Sequence, residues 1–254
     1  MIWYKLGDVI LNRTFIDIHS HVLHNVDDGC VDIDQSVFIL QKMASLGVTD
    51  LFLTPHYCKR RDYVASVDMV KQHFDELCKR AIEEKIDIKL HLGTEMEYSN
   101  DCARYIKEGR VNTLSKSRYI LVEFPPYVKA DTVVRAVMEI RSIGFVPIIA
   151  HVERYKSIMR TPEFLHRLKD SGAYIQVNIR SVCDFNFSVR RFLKYALKNG
   201  LIDFLAGDVH SFPIEESEMS KCEKFILRYA GEEYLKALLS ENAKNTILNQ
   251  DGRI

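Results

Sequence analysis

Seven short apolar runs, "FIDI", "DLFLT", "IKLHLGTEM", "YILVEF", "VPIIAH", "YIQVN" and "DFLAGD", alternate along this chain with segments of helical periodicity. The helical segments include "DIDQSVFILQKMASLG", "VDMVKQHFDELCKRAIEE", "DTVVRAVMEIRSIG", "TPEFLHRLKDSG" and "VRRFLKYALKNG", several closing on the glycine that favours a helix C-terminus. Strands separated by helices cannot pair as hairpins and are driven into a parallel sheet with crossover helices. This many repeats without a Pro/Gly/Ser-rich linker predicts a single α/β domain over residues 1–254, closed or nearly closed into a barrel, with residues 1–14 as an N-terminal extension. A doubly wound open sheet is the alternative.

Charge and composition exclude several functions. Thirty-five basic residues balance thirty-five acidic ones, so no general field draws in nucleic acid or an anionic membrane, and an anionic substrate must be caught locally. No apolar run approaches the roughly 20 residues of a membrane span, and the start "MIWYKLGDVILNRTF" lacks the charged-then-apolar order of a signal peptide. The expectation is a cytoplasmic protein without membrane insertion. Six scattered cysteines without CxxC spacing suggest neither a disulfide framework nor a thiolate zinc site.

The chemistry sits where the runs stop. In "FIDIHSHVLHNVDDG", His19 and His21 are two apart and share one face of an extended strand. Such a pair can hold a metal ion or simply line a wet face. The other runs end at or just before His56, Glu95, Glu123, His151, Asn178, and Asp208 with His210. Parallel α/β folds open the carboxyl ends of all strands onto one rim, so these distant residues meet at one mouth. Imidazole and carboxylate without thiolate suit Mn, Fe, Co or Zn. The set exceeds what one ion needs and predicts two or three divalent ions, an arrangement suited to hydrolysis.

The ordered strings "DIHSHVLHNVDDG", "TPHY", "GTEMEY", "LVEFP", "AHVERY" and "GDVHS" resemble the polymerase-and-histidinol-phosphatase (PHP) superfamily, and more closely its bacterial metal-dependent tyrosine-protein phosphatases of the capsule and exopolysaccharide type. The likeness runs from about Phe15 to "ENAKNTILNQ". It implies a distorted seven-stranded α/β barrel with three metal ions, usually manganese. Carried over by position, it implies one ion on His19, His21, Glu95 and Asp208. Glu95 would bridge to a second ion with Glu123 and His151, and a third would lie between Asp28, His56 and His210. Arg154 resembles the arginine that grips substrate phosphate. A metal-activated hydroxide would then hydrolyse phosphotyrosine, whose phenolate leaving group has a pKa of about 10. The implied partner is the tyrosine-rich tail of a bacterial kinase.

One departure stands out. Family members often carry an arginine shortly after the final Asp-x-His, whereas "DVHSFPIEESEM" has none, so either Arg154 suffices or a residue among Lys59, Arg60, Arg61 and Arg180 fills the gap. Asp27 competes with Asp28 as a ligand, Glu97 is expected beside the ligands or solvated, and His24 to line the mouth. His73 and His166 are expected on the surface, and His91 as a satisfied strand histidine. Asn178 could bond phosphate or water, or cap its strand. "CEKFILR", Cys222 to Arg228, imitates the C-x5-R string of cysteine-dependent phosphatases, but its bulky residues lie in a helical pattern that cannot wrap phosphate with backbone N–H groups. A small-molecule phosphomonoesterase such as a histidinol phosphatase, and a catalytically silent metal-binding regulatory subunit, are the competing functions.

Overall fold

A computed structural model describes residues 3–6, 9–183 and 186–249; Met1, Ile2, Gly7 and Asp8 of the expected extension lie outside the described residues. The strands are β1 (Trp3–Leu6), β2 (Val9–Asn12), β3 (Phe15–Asp17), β4 (Val48–Leu53), β5 (His56–Tyr57), β6 (Lys89–Leu92), β7 (Glu95–Glu97), β8 (Tyr119–Glu123), β9 (Val146–Ile149), β10 (Tyr174–Asn178) and β11 (Phe204–Ala206). β1 and β2 pair antiparallel, Trp3 opposite Asn12, a hairpin that the periodicity does not predict. All other ladders are parallel, as crossover helices require.

Two of the expected strands are interrupted. The described residues form a six-stranded sheet, β11-β10-β9-β8-β7-β5, and a three-stranded one, β3-β4-β6. Pro55 offers no amide proton and stops the ladder between β4 and β5. Between β6 and β7 stands Gly93, whose N–H donates to Leu53 O at 2.9 Å and where a Cβ would lie 2.5 Å from the Leu114 side chain. Ser20 bridges Val209 in parallel, with His21 N donating to Val209 O at 2.7 Å and Asp208 N to His19 O at 3.0 Å. These bonds bring the first run against the last, so the parallel sheet is curled and its carboxyl ends face one another.

Alternation along β8 shows how the layers form. Ile120 and Val122 join the larger core with the helices, including Val133, Val137 and Ile140 of the helix Ala130–Ser142. Tyr119 and Leu121 point to the other face, into a smaller cluster with Ile16, Ile18, Phe52, Ile148 and Phe204. Ala243 and Ile247, from the last helical turns, belong to that cluster. Each fully buried aliphatic side chain contributes about 1.5–3 kcal/mol. The five expected helices are present as Ile33–Ser45, Val67–Glu83, Ala130–Ser142, Phe164–Asp170 and Phe187–Lys198. Gly47 ends the first at φ 85°, and a Cβ there would stand 2.9 Å from Arg13 O.

Candidate metal centre

The rim is built from strand ends. Ser20 donates its hydroxyl to Phe52 O at 2.7 Å and accepts no place in the cluster, which leaves its neighbours His19 and His21 on the opposite, inward side. Both imidazoles are wholly buried. His56 opens β5 and Glu95 opens β7, in register with each other. Glu123 ends β8 opposite Glu97. His151 follows β9 at φ 32° and Asp208 follows β11 at φ 49°. This left-handed backbone turns both side chains at the point where the strand stops, and strain of this kind gathers at functional sites.

Donor spacing is the informative quantity. His19 Nε2 and His21 Nε2 are 3.2 Å apart, each is 3.2 Å from Glu95 Oε2, and each is 3.4 Å from Asp208 Oδ1. His56 Nδ1 lies 3.0 Å from the same Glu95 oxygen and 3.4 Å from Glu123 Oε1. His151 Nε2 is 2.8 Å from Glu95 Oε1 and 4.0 Å from Glu123 Oε2. Asp28 Oδ1 stands 3.4 Å from His56 Nε2 and 3.7 Å from His210 Nε2. Ligands bonded to one ion at about 2.0–2.2 Å stand about 3–3.5 Å from one another. The residues converge in overlapping groups, His21/Asp28/His56/His210, His19/His21/Glu95, His19/His151/Asp208 and His56/Glu95/Glu123, so they share vertices rather than forming isolated sets.

Glu95 Oε2 tests whether these residues suit cations. It is buried, has no hydrogen-bond partner among the described residues and faces three histidine nitrogens. A buried carboxylate oxygen in that position fits a shared positive ion. The Arg61 guanidinium already reaches into the same side of the rim, paired with Glu123 and within 3.3 Å of His56 Nε2 and 3.8 Å of Asp28 Oδ2.

The protonation pattern has the same origin. Burial disfavours charge on Glu95 and Asp208, but the positive His19 beside each outweighs it and holds both carboxyls well below their usual range. Burial, reinforced by the charge of Glu95, pushes Glu123 up to about 8. Burial also opposes a charged His21, yet Asp27 against its Nδ1 keeps it well above the ordinary histidine value. His56 is lowered, by burial first and His21 second. The rim thus shares protons where it lacks other positive charge.

Supporting residues explain the orientation. Asp27 accepts from His21 Nδ1 at 2.7 Å, from His56 N at 2.8 Å and from Gly29 N at 3.0 Å, leaving Asp28 to face the rim. Gly29 is obligatory there, because a Cβ would sit 1.8 Å from His21 O. Gln176 was not singled out from the sequence, yet its amide oxygen takes His151 N at 2.8 Å and lies 3.3 Å from His19 Nδ1. Its signal is strand parity with Asn178, whose Nδ2 donates to Asp208 Oδ2 at 2.8 Å. Tyr155 was also missed; its hydroxyl donates to Ala150 O at 2.8 Å and accepts from Phe124 N at 3.0 Å.

The remaining candidates fall into clear places. Arg154, half exposed, donates to Asp208 Oδ2 at 2.6 Å. Arg60 is held by Glu97 at 2.6 Å. Arg180 is turned onto Glu218 at 3.1 Å and onto the carbonyls of Phe212 and Pro213. His91 pairs with Asp50 at 2.8 Å on β6. His73 is half buried on its helix and lies 3.0 Å from His24. Cys222 is buried inside the helix Glu216–Ala230, where burial pushes its thiol well above the usual value.

Fold and rim together define a class, a curled parallel α/β fold that gathers candidate metal ligands at the carboxyl ends of its strands. The family model described as "Capsular polysaccharide synthesis, CpsB/CapC" matches residues 15–248, and the chain belongs to that family. It is 31% identical to CapC of Staphylococcus aureus, over 93% of this chain and 96% of that protein. It is 28% identical to the tyrosine-protein phosphatase YwqE of Bacillus subtilis, over 92% of each. Among solved structures, it matches the metal-dependent tyrosine phosphatases described as YwqE from Bacillus subtilis and CpsB from Streptococcus pneumoniae with TM-score 0.83 and 26% identity, over 92% of this chain and 95% of that one. A histidinol phosphate phosphatase from Lactococcus lactis shares the fold at TM-score 0.56 and 13% identity, over 87% and 94% of the two chains.

Proposed function

We propose that this protein is a metal-dependent tyrosine-protein phosphatase of capsular or exopolysaccharide synthesis, acting in the cytoplasm on phosphotyrosine in the tail of a bacterial tyrosine kinase. Membership of the family and the activities of its named relatives support the reaction. The observation that carries it for this chain is Glu95 Oε2, a buried oxygen without a hydrogen bond among three imidazole nitrogens. On this reading β4 with β5, and β6 with β7, are two bent strands of one seven-stranded PHP-type barrel, and the chain is a single domain.

His19, His21, Glu95 and Asp208 would hold one ion, Glu95, Glu123 and His151 a second, and Asp28, His56 and His210 a third, with manganese the expected metal. When bound, such ions supply an activated water and neutralise charge on the phosphoryl group. The chain's own part is positioning. Arg154, braced by Asp208, is the half-exposed guanidinium that would bind phosphoryl oxygens with charge-assisted bonds. Arg60 and Arg180 are committed to carboxylates elsewhere, so Arg61 is assigned the place of the arginine absent after His210. Asp27 fixes the ring of His21, and the Gln176–Asn178 pair fixes His19, His151 and Asp208. The phenolate of phosphotyrosine leaves with a pKa of about 10 and needs little protonation.

The test is purified protein with manganese on a phosphotyrosine peptide, histidinol phosphate and single-stranded DNA, with and without chelator. Chelator-sensitive release from the peptide, unaffected by thiol alkylation, is expected. Preference for histidinol phosphate would favour a small-molecule phosphatase, and silence on all three a regulatory subunit.

A further inference from the structure

Apart from the rim groups lies a second convergence of donors that the phosphatase reading does not use. His73 and Glu76 are three residues apart on the helix Val67–Glu83 and so share one face. His24, from the loop between His21 and Asp28, meets them there. His73 Nδ1 lies 3.0 Å from His24 Nε2, and that same nitrogen is 3.5 Å from Glu76 Oε2. The rings stand 4.7 Å apart at 66°, edge to face. His24 is 6% exposed, and its Nδ1 is buried with no hydrogen-bond partner among the described residues.

We propose that His24, His73 and Glu76 form a further divalent-cation site of the zinc class. Bonds of about 2.0–2.2 Å from nitrogen and oxygen to tetrahedral zinc place the ligands about 3.3–3.5 Å apart, close to the separations observed here. A simple imidazole–imidazole hydrogen bond explains one distance, but it leaves unexplained why a carboxylate closes on the same Nε2. Two neutral imidazoles and one carboxylate leave a vertex for water, and Glu76, exposed over half its side chain, lies on the open side. The sequence neighbours give the site a role. Val22 and Leu23 are wholly buried, while Asp27 and Asp28 of the same loop orient and face the rim. An ion held here ties that loop to the helix Val67–Glu83.

The experiment compares zinc content, by mass spectrometry after saturation and gel filtration, in the full-length wild type, His73→Ala and Glu76→Gln. The wild type is expected to retain one zinc more than His73→Ala, and Glu76→Gln to bind that equivalent at least tenfold more weakly. Added zinc should raise the melting temperature of the manganese-loaded wild type and not that of His73→Ala. Turnover of a phosphotyrosine peptide with manganese should agree within twofold among all three, which separates this site from the phosphatase reading. Equal zinc content and equal zinc affinity in the wild type and both variants would overturn the proposal and leave a hydrogen-bonded imidazole pair only. Glu76 is exposed enough for its conservative substitution to keep the test decisive if His73→Ala folds poorly.

Discussion

Two buried charge clusters in this molecule are built on opposite plans. Arg13 and Glu223 are 1% and 3% exposed and face each other fork to fork, at 2.6 and 3.0 Å, while Leu46 O and Glu216 take the remaining guanidinium protons. Each guanidinium nitrogen there meets a carboxylate, and one of them a backbone carbonyl as well. At the rim, by contrast, Glu95, Asp208 and Glu123 face imidazoles that cannot all be protonated at once, and Glu95 Oε2 is left without a hydrogen bond. One cluster is complete within the chain. The other has its acceptors arranged for positive charge from outside, and that difference separates a structural ion pair from a site.

The largest expected effect breaks the rim. Glu95→Ala and His151→Ala should each lower manganese-dependent turnover of a phosphotyrosine peptide roughly 1,000-fold or more, the scale of losing a principal electrostatic group. The melting temperature of the chelated protein should shift by less than about 4 °C, equivalent to about 1 kcal/mol, because both side chains face the rim and neither belongs to an apolar cluster. Turnover within tenfold of wild type would discard the assignment of the rim as the reaction centre. Arg13→Met is the mirror experiment. It strands Glu223 in the core and should cost about 3–5 kcal/mol in a denaturant titration, with turnover per folded molecule unchanged. Adding Glu223→Leu should recover most of that loss.

This contrast also explains what could be read before the fold was known. The rim was legible because each ligand candidate lies at the end of an apolar run, and parallel topology alone brings run ends together. Arg13 and Glu223 are 210 residues apart with no periodic mark on either, so nothing in the pattern could pair them. The same holds for Gln176, an ordinary polar residue in "YIQVN" until His151 N turns back onto its side chain. His24 and His73 were read separately, and nothing in the pattern pairs them, because one sits in an irregular loop and the other on a helix. The break between β4 and β5 was written in Pro55, whose effect on the ladder was outweighed by the continuity of the apolar pattern. The missing arginine was noticed, but only the geometry separates Arg61, at Glu123, from Arg60 and Arg180, held elsewhere.

A smaller effect sharpens the comparison through protons. Glu123 is raised to about 8 by burial and the charge of Glu95, and His21 is raised well above its ordinary value by its acidic neighbours, against the opposing effect of burial. A cation needs both groups deprotonated, so loading the metal-free protein must expel protons. Below pH 8 the Glu123 proton competes with the ion, so manganese affinity should climb as pH rises from 6 to 8. Calorimetry in buffers of different ionisation enthalpy should show net proton release at pH 7, reduced in Glu123→Gln. Release of no protons would mean that the carboxylate is already ionised and the cluster already balanced, like Arg13 with Glu223.

The smallest effects concern the arginines, and they rank by what already holds each one. A charge-assisted bond to phosphate is worth about 1.5–3 kcal/mol, so Arg154→Ala and Arg61→Ala should each raise KM about tenfold or more for the peptide. Arg61→Lys should recover little, because a point charge cannot span Glu123 and His56 as the planar fork does. Arg60→Ala and Arg180→Ala should leave KM within about twofold, since their guanidinium groups are held by Glu97 and Glu218 and a substrate would have to displace those carboxylates first. An Arg180→Ala enzyme with KM raised as far as in Arg61→Ala would reverse the assignment, since it would show the segment after His210 bringing its own cation to the phosphate once Glu218 lets go.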